Sequence, residues 1–251
     1  MLELISVVGV DEHTDLGKLD EQDQELFQGI GSLFPIEYGF LYSETRSQTK
    51  DDRYPSYKFI MDARQKLWQD GMLTSIHLCG SEAVEGYLKG DKYILDLIGP
   101  SRVQLNFNMA KYDADDLVAK VIKASERHMG HLILQQNKSK AEFITKVLRE
   151  YHYQRDLNID VLYDGSGGFG REIEKVEQPF STFFTGYAGG LKPGNIKKVL
   201  ELIDAVNVNN VGFYIDMESG VRTDNKFDLE KVKAVVTEVI DFHKEDEKDG
   251  E

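Results

Sequence analysis

The sequence is poor in the residues that form covalent or metal-bound frameworks. Cysteine occurs once, at Cys79, so the chain can form neither an intramolecular disulfide nor a cysteine-based zinc cluster. The six histidines show no metal-ligand spacing such as H-x-x-x-H or H-E-x-x-H. We therefore expect a reducing compartment, no dedicated metal site and no cofactor.

Positive charge and long apolar runs are also scarce. The 30 Lys and Arg residues face 44 Asp and Glu residues, a formal charge of -14, which opposes nonspecific binding to DNA, RNA or anionic membranes. No stretch approaches the roughly 18 to 20 apolar residues of a membrane helix. The first eight residues lack the basic start and cleavage pattern of a signal peptide. These features predict a cytoplasmic protein with no nucleic-acid or membrane partner.

What the chain does contain is a repeated alternation of short apolar or β-branched runs with longer stretches of helical period. With 251 residues and 41% hydrophobic residues it can bury a large core. The predicted strands are Leu4–Val10, Ile36–Tyr42, Leu73–Cys79, Arg102–Phe107, His131–Gln135, Ile159–Tyr163, Thr182–Tyr187 and Val211–Ile215.

Candidate helices lie between these runs. Asp113–His128 is the clearest, because acidic residues occupy its first turn and its apolar residues form one stripe. The others are Pro55–Gln69, Lys140–Tyr151, Asn195–Ala205 and Leu229–Phe242.

Eight strand and helix units in about 250 residues favour a closed (β/α)8 barrel, the TIM barrel, over an open parallel sheet. We predict a single-domain α/β barrel over residues 1–243 and a solvated, charged tail over residues 244–251. The long polar loop Ser43–Pro55 is either a cover over the barrel mouth or a surface insertion. In such barrels the functional groups lie at the C-terminal ends of the strands.

Glycine motifs follow the seventh and eighth predicted strands. They are Gly189-Gly190 and Ser219-Gly220, the positions at which many barrels bind phosphate through backbone amides. Ordinary turns are the alternative, since glycine is common at strand ends. Their paired occurrence favours a phosphate site, which needs no basic surface and therefore agrees with the acidic charge.

Asp164 follows the sixth predicted strand, where a barrel holds a general acid or base. A turn-capping role is equally compatible with its position. The glycines at 165, 167 and 170 also fit the dinucleotide fingerprint, but Pro179 leaves room for only a short helix and no acidic residue lies about 20 positions on.

The third and fourth strands carry further candidates. Strand alternation turns His77 and Cys79 toward the barrel interior, where the thiol is either a reactive group or a small buried hydrophobe. Gln104 and Asn106 point inward too, toward a polar ligand or each other. The basic residues near the predicted mouth are Arg46, Arg53, Lys192 and Arg222.

These motifs, taken in order, resemble the phosphoribosylanthranilate isomerase family. The resemblance is carried by Val103-Gln104-Leu105, Leu162-Tyr163-Asp164 with Gly167-Gly168, Ala188 through Pro193, and Ile215-Asp216 with Ser219-Gly220-Val221; Val8-Gly9-Val10 and Arg53-Tyr54 match more loosely.

The resemblance implies an enzyme of tryptophan biosynthesis that converts an aminoaldose phosphate into an aminoketose by an Amadori rearrangement. Asp164 matches the family's general acid, and the glycine loops match its phosphate site. The family's basic cysteine matches Val8, which cannot move a proton, so Cys79 and Asp11 become the candidate bases. Arg53 is the candidate contact for a substrate carboxylate.

Two alternatives remain open. The barrel could bind a phosphorylated small molecule without turning it over, or it could run a different reaction on one. An aldolase would need a Schiff-base lysine near the mouth, and none lies inside the predicted strands.

Overall fold

The computed structural model describes residues 1–30, 34–49, 51–108, 111–136, 140–153, 158–165, 172–173, 175–180 and 183–249. Eight parallel strands form a closed barrel in the order β1 to β8. The strands are β1 Leu2–Val8, β2 Ile36–Tyr42, β3 Leu73–Cys79, β4 Arg102–Asn106, β5 Leu132–Gln136, β6 Ile159–Asp164, β7 Thr185–Ala188 and β8 Phe213–Met217.

Helices surround this barrel. They are α1 Leu16–Ile30, α2 Tyr57–Gln69, α3 Ser81–Lys89, α4 Lys92–Ile98, α5 Ala114–Arg127, α6 Ala141–Tyr153, α7 Ile196–Val206 and α8 Leu229–Asp249. A small hairpin of β9 Arg222–Thr223 and β10 Lys226–Phe227 follows β8. The predicted (β/α)8 barrel is confirmed.

Local sequence explains where these elements begin and what they bury. The side chain of Asp113 accepts hydrogen bonds from the first backbone amides of α5, and Ser56 caps α2 in the same way. The predicted apolar stripe of α5 is buried against the barrel. Every residue of β2 is buried, as expected for a strand with the barrel interior on one face and helices on the other.

The floor of the barrel interior, at the N-terminal ends of the strands, is built around an ion cluster. Arg102 on β4 contacts Glu37 on β2 at 3.0 Å and Asp160 on β6 at 2.8 Å. His131, just before β5, hydrogen-bonds the other oxygen of Asp160 at 2.8 Å. The guanidinium of Arg102 also lies 4.3 Å from the ring centre of Tyr214 on β8. Two buried carboxylates are thus compensated by one buried cation.

The structure corrects several boundaries. The first strand ends at Val8 rather than Val10, because Gly9 turns the chain with φ of 124°. The eighth strand runs from Phe213 to Met217, two residues later than predicted. Helices α1, α3 and α4 were not predicted at all. The eighth helix continues to Asp249, so most of the predicted tail extends the helix, since Lys and Glu are good helix formers.

None of the described helices combines the length and apolar character that crossing a membrane requires.

Candidate functional site

A cavity of about 1130 Å³ opens at the C-terminal ends of the strands. Eight of the ten candidate residues line it, and Gly220 and Asp11 are the two that do not. The loop Ser43–Pro55 contributes several lining residues, so it forms part of the cavity wall. The lining candidates are Arg53, Cys79, Gln104, Asn106, Asp164, Gly189, Gly190 and Ser219.

Two aspartates, Asp164 and Asp216, face this cavity from strands that are separated by one other strand, and they lie at the same level along the barrel axis. Asp164 on β6 pairs with Ala188 on β7, and Ala188 pairs with Asp216 on β8. Two strand spacings separate the two Cα atoms, or about 9 to 10 Å. Both residues are buried and both line the cavity. The sheet register therefore places two carboxyl groups across one pocket, which is the arrangement that acid and base catalysis requires.

Asp164 is held by a chain of polar side chains. Gln135 on β5 donates from Nε2 to its Oδ2 at 2.5 Å, and Lys140 donates from Nζ to Oε1 of Gln135 at 2.8 Å. Lys140 is turned into the cavity from the start of α6. Burial lowers the pKa of its amine, while the charge of Asp164 opposes this effect.

Among the described residues, Asp216 has one neutral hydrogen-bond partner and no cation in contact. The hydroxyl of Ser6 on β1 donates to its Oδ1 at 2.7 Å. Burial raises the pKa of Asp216 to about 7, which the Ser6 hydrogen bond opposes and the charge of Glu37 reinforces. A carboxyl group with this pKa exchanges a proton at neutral pH and is suited to general base catalysis.

Cys79 ends β3 and is partly buried beside Val8, Leu41 and Tyr54. Burial raises the pKa of its thiol to about 11, and the charge of Glu218 adds to this effect. The thiol is accordingly protonated at neutral pH. Its position at the cavity agrees with the alternation of β3, but its environment is that of an unreactive thiol.

The two glycine loops are in direct contact. A Cβ atom on Gly220 would lie 1.8 Å from the carbonyl oxygen of Leu191, so only glycine permits this approach. Gly189 and Gly190 adopt positive φ angles of 128° and 61°. In the described part of the chain, the backbone amides of these three glycines donate no hydrogen bond. The predicted glycines Gly167 and Gly168 lie outside the described residues.

Arg53 and Glu218 form an ion pair across the mouth. Nε of Arg53 lies 2.6 Å from Oε1 of Glu218, and Nη2 donates to Oε2 at 2.9 Å. The pair joins the loop after β2 to the loop after β8. Arg53 is therefore already engaged by a carboxylate of the protein, and a ligand carboxylate would have to replace Glu218 to bind it.

The polar side chains of the middle strands bind each other. Nε2 of Gln104 donates to Oδ1 of Asn106 at 2.9 Å, one of the two arrangements expected from the sequence. His77 faces the interior beside them, and burial together with the charge of Arg102 lowers its pKa to about 3. His77 is therefore a neutral group in the cavity wall.

Asp11 is not brought to the cavity. Its carboxylate accepts hydrogen bonds from Nη2 of Arg222 at 3.1 Å and from the amide of Phe227 at 2.8 Å. Arg222 also donates to the carbonyl of Gly9 at 2.8 Å, and a Cβ on Gly9 would collide with its guanidinium. Because β1 ends at Val8, Asp11 lies three residues beyond the strand end, where it fixes the β9–β10 hairpin.

Sequence reasoning missed Asp216 and Lys140 as members of the site. The sequence predicts that the eighth strand ends at Ile215, which leaves Asp216 just beyond it. The available signal was that Asp216 lies two residues after Tyr214, so both side chains point to the same face if the strand continues. Lys140 had no comparable signal, since it precedes a helix. Among the described residues, no group of three His, Cys, Asp or Glu side chains is arranged to hold a metal ion.

Comparison with known proteins gives one partial sequence match and a structural match. No family model matches the chain. A segment of 82 residues is 38% identical to the multifunctional tryptophan biosynthesis protein of Schizosaccharomyces pombe (strain 972 / ATCC 24843) and covers 32% of this chain but only 10% of that protein. The phospho-2-dehydro-3-deoxyheptonate aldolase (DAHP synthase) of Thermotoga maritima matches with a TM-score of 0.55 and 12% identity over 95% of this chain and 68% of that chain. The structural match shows the fold alone.

Proposed function

We propose that this barrel is an isomerase that acts on a phosphorylated sugar derivative by an Amadori rearrangement, as the resemblance to phosphoribosylanthranilate isomerases implies. The observation that carries the proposal is the pair Asp164 and Asp216, which share one register row beside the two glycine loops. The partial match to a multifunctional tryptophan biosynthesis protein supports a place in the same biosynthetic area, without specifying the reaction.

The phosphate would bind at the loops after β7 and β8. The amides of Gly189, Gly190 and Gly220 donate no hydrogen bond within the described part of the chain, so they could bind an anion without adding positive charge to an acidic protein. Ser219 lines the cavity in the same loop and contributes a hydroxyl. A phosphate bound there would hold the attached sugar next to both aspartates.

Asp164 would protonate the ring oxygen and open the sugar ring. The base that removes the proton from the sugar carbon would be Asp216, because its pKa of about 7 leaves a substantial carboxylate fraction at neutral pH. Cys79, with a thiol pKa of about 11, supplies almost no thiolate under the same conditions. Val8 therefore marks a change in the identity of the base rather than the loss of one.

The decisive experiment is incubation of the purified protein with phosphoribosylanthranilate, followed through the loss of the aryl-amine signal. We expect turnover that falls by about 100-fold or more in Asp164→Asn and in Asp216→Asn, the usual range for losing a general acid or base. Cys79→Ser should keep the parental rate.

Asp62→Asn is the matched control, since Asp62 is an exposed aspartate on α2. No turnover by the parent protein would end the isomerase proposal. Full activity in Asp216→Asn would show that another group is the base.

A second function is favoured by Lys140, whose amine reaches the cavity and has a lowered pKa. An uncharged amine can form an imine with a carbonyl substrate and release water, the first step of a Schiff-base aldolase. Borohydride reduction in the presence of glyceraldehyde 3-phosphate would fix such an adduct on Lys140, detected by peptide mass. Lys140→Arg is the control.

Binding of inorganic phosphate without either reaction would instead identify a noncatalytic binding barrel.

A further inference from the structure

A second pocket lies at the opposite end of the barrel from the cavity described above. It has a volume of about 590 Å³ and is formed by α2, α4 and the segments that precede β4 and β5. This volume falls within the range of about 300 to 1,000 Å³ that small-molecule sites occupy. The lining residues that matter for its chemistry are Arg64, Trp68, Leu95, Ile98, Arg127 and Met129.

The apolar part of this groove is open to solvent. Trp68 is 63% exposed and Met129 is 86% exposed, although both are large apolar side chains. Leu95, which is partly buried, and Ile98, which is buried, line the groove beside them. An exposed indole and thioether beside aliphatic side chains form a surface suited to the face of an aromatic ring.

Two arginines give the groove a positive charge. Nη2 of Arg64 donates to the backbone carbonyl of Asp96 at 3.2 Å, and its buried Nε has no hydrogen-bond partner among the described residues. Nη2 of Arg127 donates to the carbonyl of Tyr87 at 2.6 Å. Neither arginine forms an ion pair with a described carboxylate.

The two arginines of the groove differ from three others that the protein pairs with its own carboxylates. Arg53, Arg102 and Arg222 each pair with an aspartate or glutamate of the protein. Burial lowers the pKa of Arg64, so its charge is poorly compensated where it stands. An anion that reached the groove would therefore find two guanidinium groups available for charge-assisted hydrogen bonds.

We propose that this groove is a binding site for a small aromatic carboxylate, whose ring lies against Trp68 and whose carboxylate pairs with Arg64 and Arg127. The site lies at the N-terminal end of the strands, so it would be regulatory or storage-related rather than catalytic. It does not depend on the function proposed for the cavity at the mouth.

Trp68 is the sole tryptophan of the chain, so its fluorescence reports directly on this groove. The probe is 4-phenylbutyrate, compared with its neutral isostere 4-phenylbutyramide. We expect the acid to cause saturable quenching or a spectral shift of Trp68 fluorescence. The amide should bind at least about tenfold more weakly, because it lacks the charge-assisted contacts.

Arg127→Gln and Arg64→Gln should each weaken binding of the acid about tenfold and leave binding of the amide unchanged. Arg127 is exposed, so its replacement keeps the fold and the test valid even if Arg64→Gln does not fold. Arg149→Gln, an exposed position on α6, is the matched control and should bind like the parent.

Equal affinities for the acid and the amide, or no change in Trp68 emission at millimolar acid, would overturn the proposal. A Trp68 spectrum that changes with protein concentration in the absence of any probe would also overturn it, since a second copy of the chain would then cover the groove.

Discussion

The floor and the mouth of the barrel interior treat buried carboxylates in opposite ways. At the floor, Glu37 and Asp160 share the cation Arg102, and His131 contacts Asp160 as well. At the mouth, Asp216 accepts a hydrogen bond from the neutral hydroxyl of Ser6, and its pKa rises to about 7.

The difference separates two ion-paired carboxylates from a carboxyl group held by a neutral hydroxyl within one barrel. A carboxylate paired with arginine holds neighbouring strands together. A carboxyl group that lacks such a cation gains a pKa close to the working pH, at the expense of stability. The polar interior therefore divides into a floor that supports the fold and a mouth that can exchange protons.

Replacing the floor cation should have the largest effect. In Arg102→Met, two carboxylates are left buried without their counter-ion, which typically costs about 3 to 5 kcal/mol of unfolding free energy. Urea denaturation at pH 7 measures the loss. The exposed Arg149→Met is the matched control and should change stability little.

Adding Asp160→Asn to Arg102→Met should recover part of the lost stability, because one uncompensated charge is removed. A loss below 1 kcal/mol in the single variant would mean that the floor charges are not held as the structure shows, and the contrast with the mouth would disappear.

Asp216 should make stability depend on pH. Its folded-state pKa of about 7 lies above the ordinary value of 3.8, so the folded protein binds this proton more tightly than the unfolded chain does. The favourable contribution is complete below about pH 4 and is lost as the pH rises through 7, by about 1.4 kcal/mol for each unit of difference.

The unfolding free energy of the parent should therefore fall by a few kcal/mol between pH 4 and pH 7.5 relative to Asp216→Asn, measured by urea titrations across that interval. Parallel profiles for the two proteins would show that Asp216 is not protonated in the folded state near neutral pH.

At Cys79, whose thiol is neutral at pH 7, the expected effect is on the rate of alkylation rather than on stability. With a pKa of about 11, its alkylation by iodoacetamide at pH 8 should be about 100-fold slower in the folded protein than in urea, because the thiolate is the reacting form. The rate should rise about tenfold between pH 8 and pH 9. Labelling at the same rate in the folded and unfolded protein would place an ionised thiol at the mouth.

The fold could be predicted from the sequence because its strands are strongly patterned. The observed bounds of β2 and β3 equal the predicted ones, and α5 differs by one residue at each end. The missed helices have weaker signals. Apolar residues in α1 are diluted by acidic ones, and α3 and α4 are short segments separated by Gly90 and Asp91.

The site was harder to predict, because it depends on strand ends. The predicted first strand runs past Gly9 and so makes Asp11 a candidate, whereas the predicted eighth strand ends two residues before the observed end of β8 and so leaves out Asp216. A strand end that is displaced by two residues decides whether a side chain belongs to the strand or to the loop that follows it. Contacts between distant residues, such as the ion pair of Arg53 with Glu218, leave no pattern in the neighbouring sequence from which they could be predicted.

The register row from Asp164 through Ala188 and Asp216 to Ser6 has a consequence for how this barrel can diverge. Backbone hydrogen bonds between strands set the spacing of these four positions, and side-chain rotamers contribute little to it. Substitution can therefore exchange one chemical group for another at any of them while the distance between positions is inherited unchanged. New reactions can arise on this scaffold without any rebuilding of its geometry.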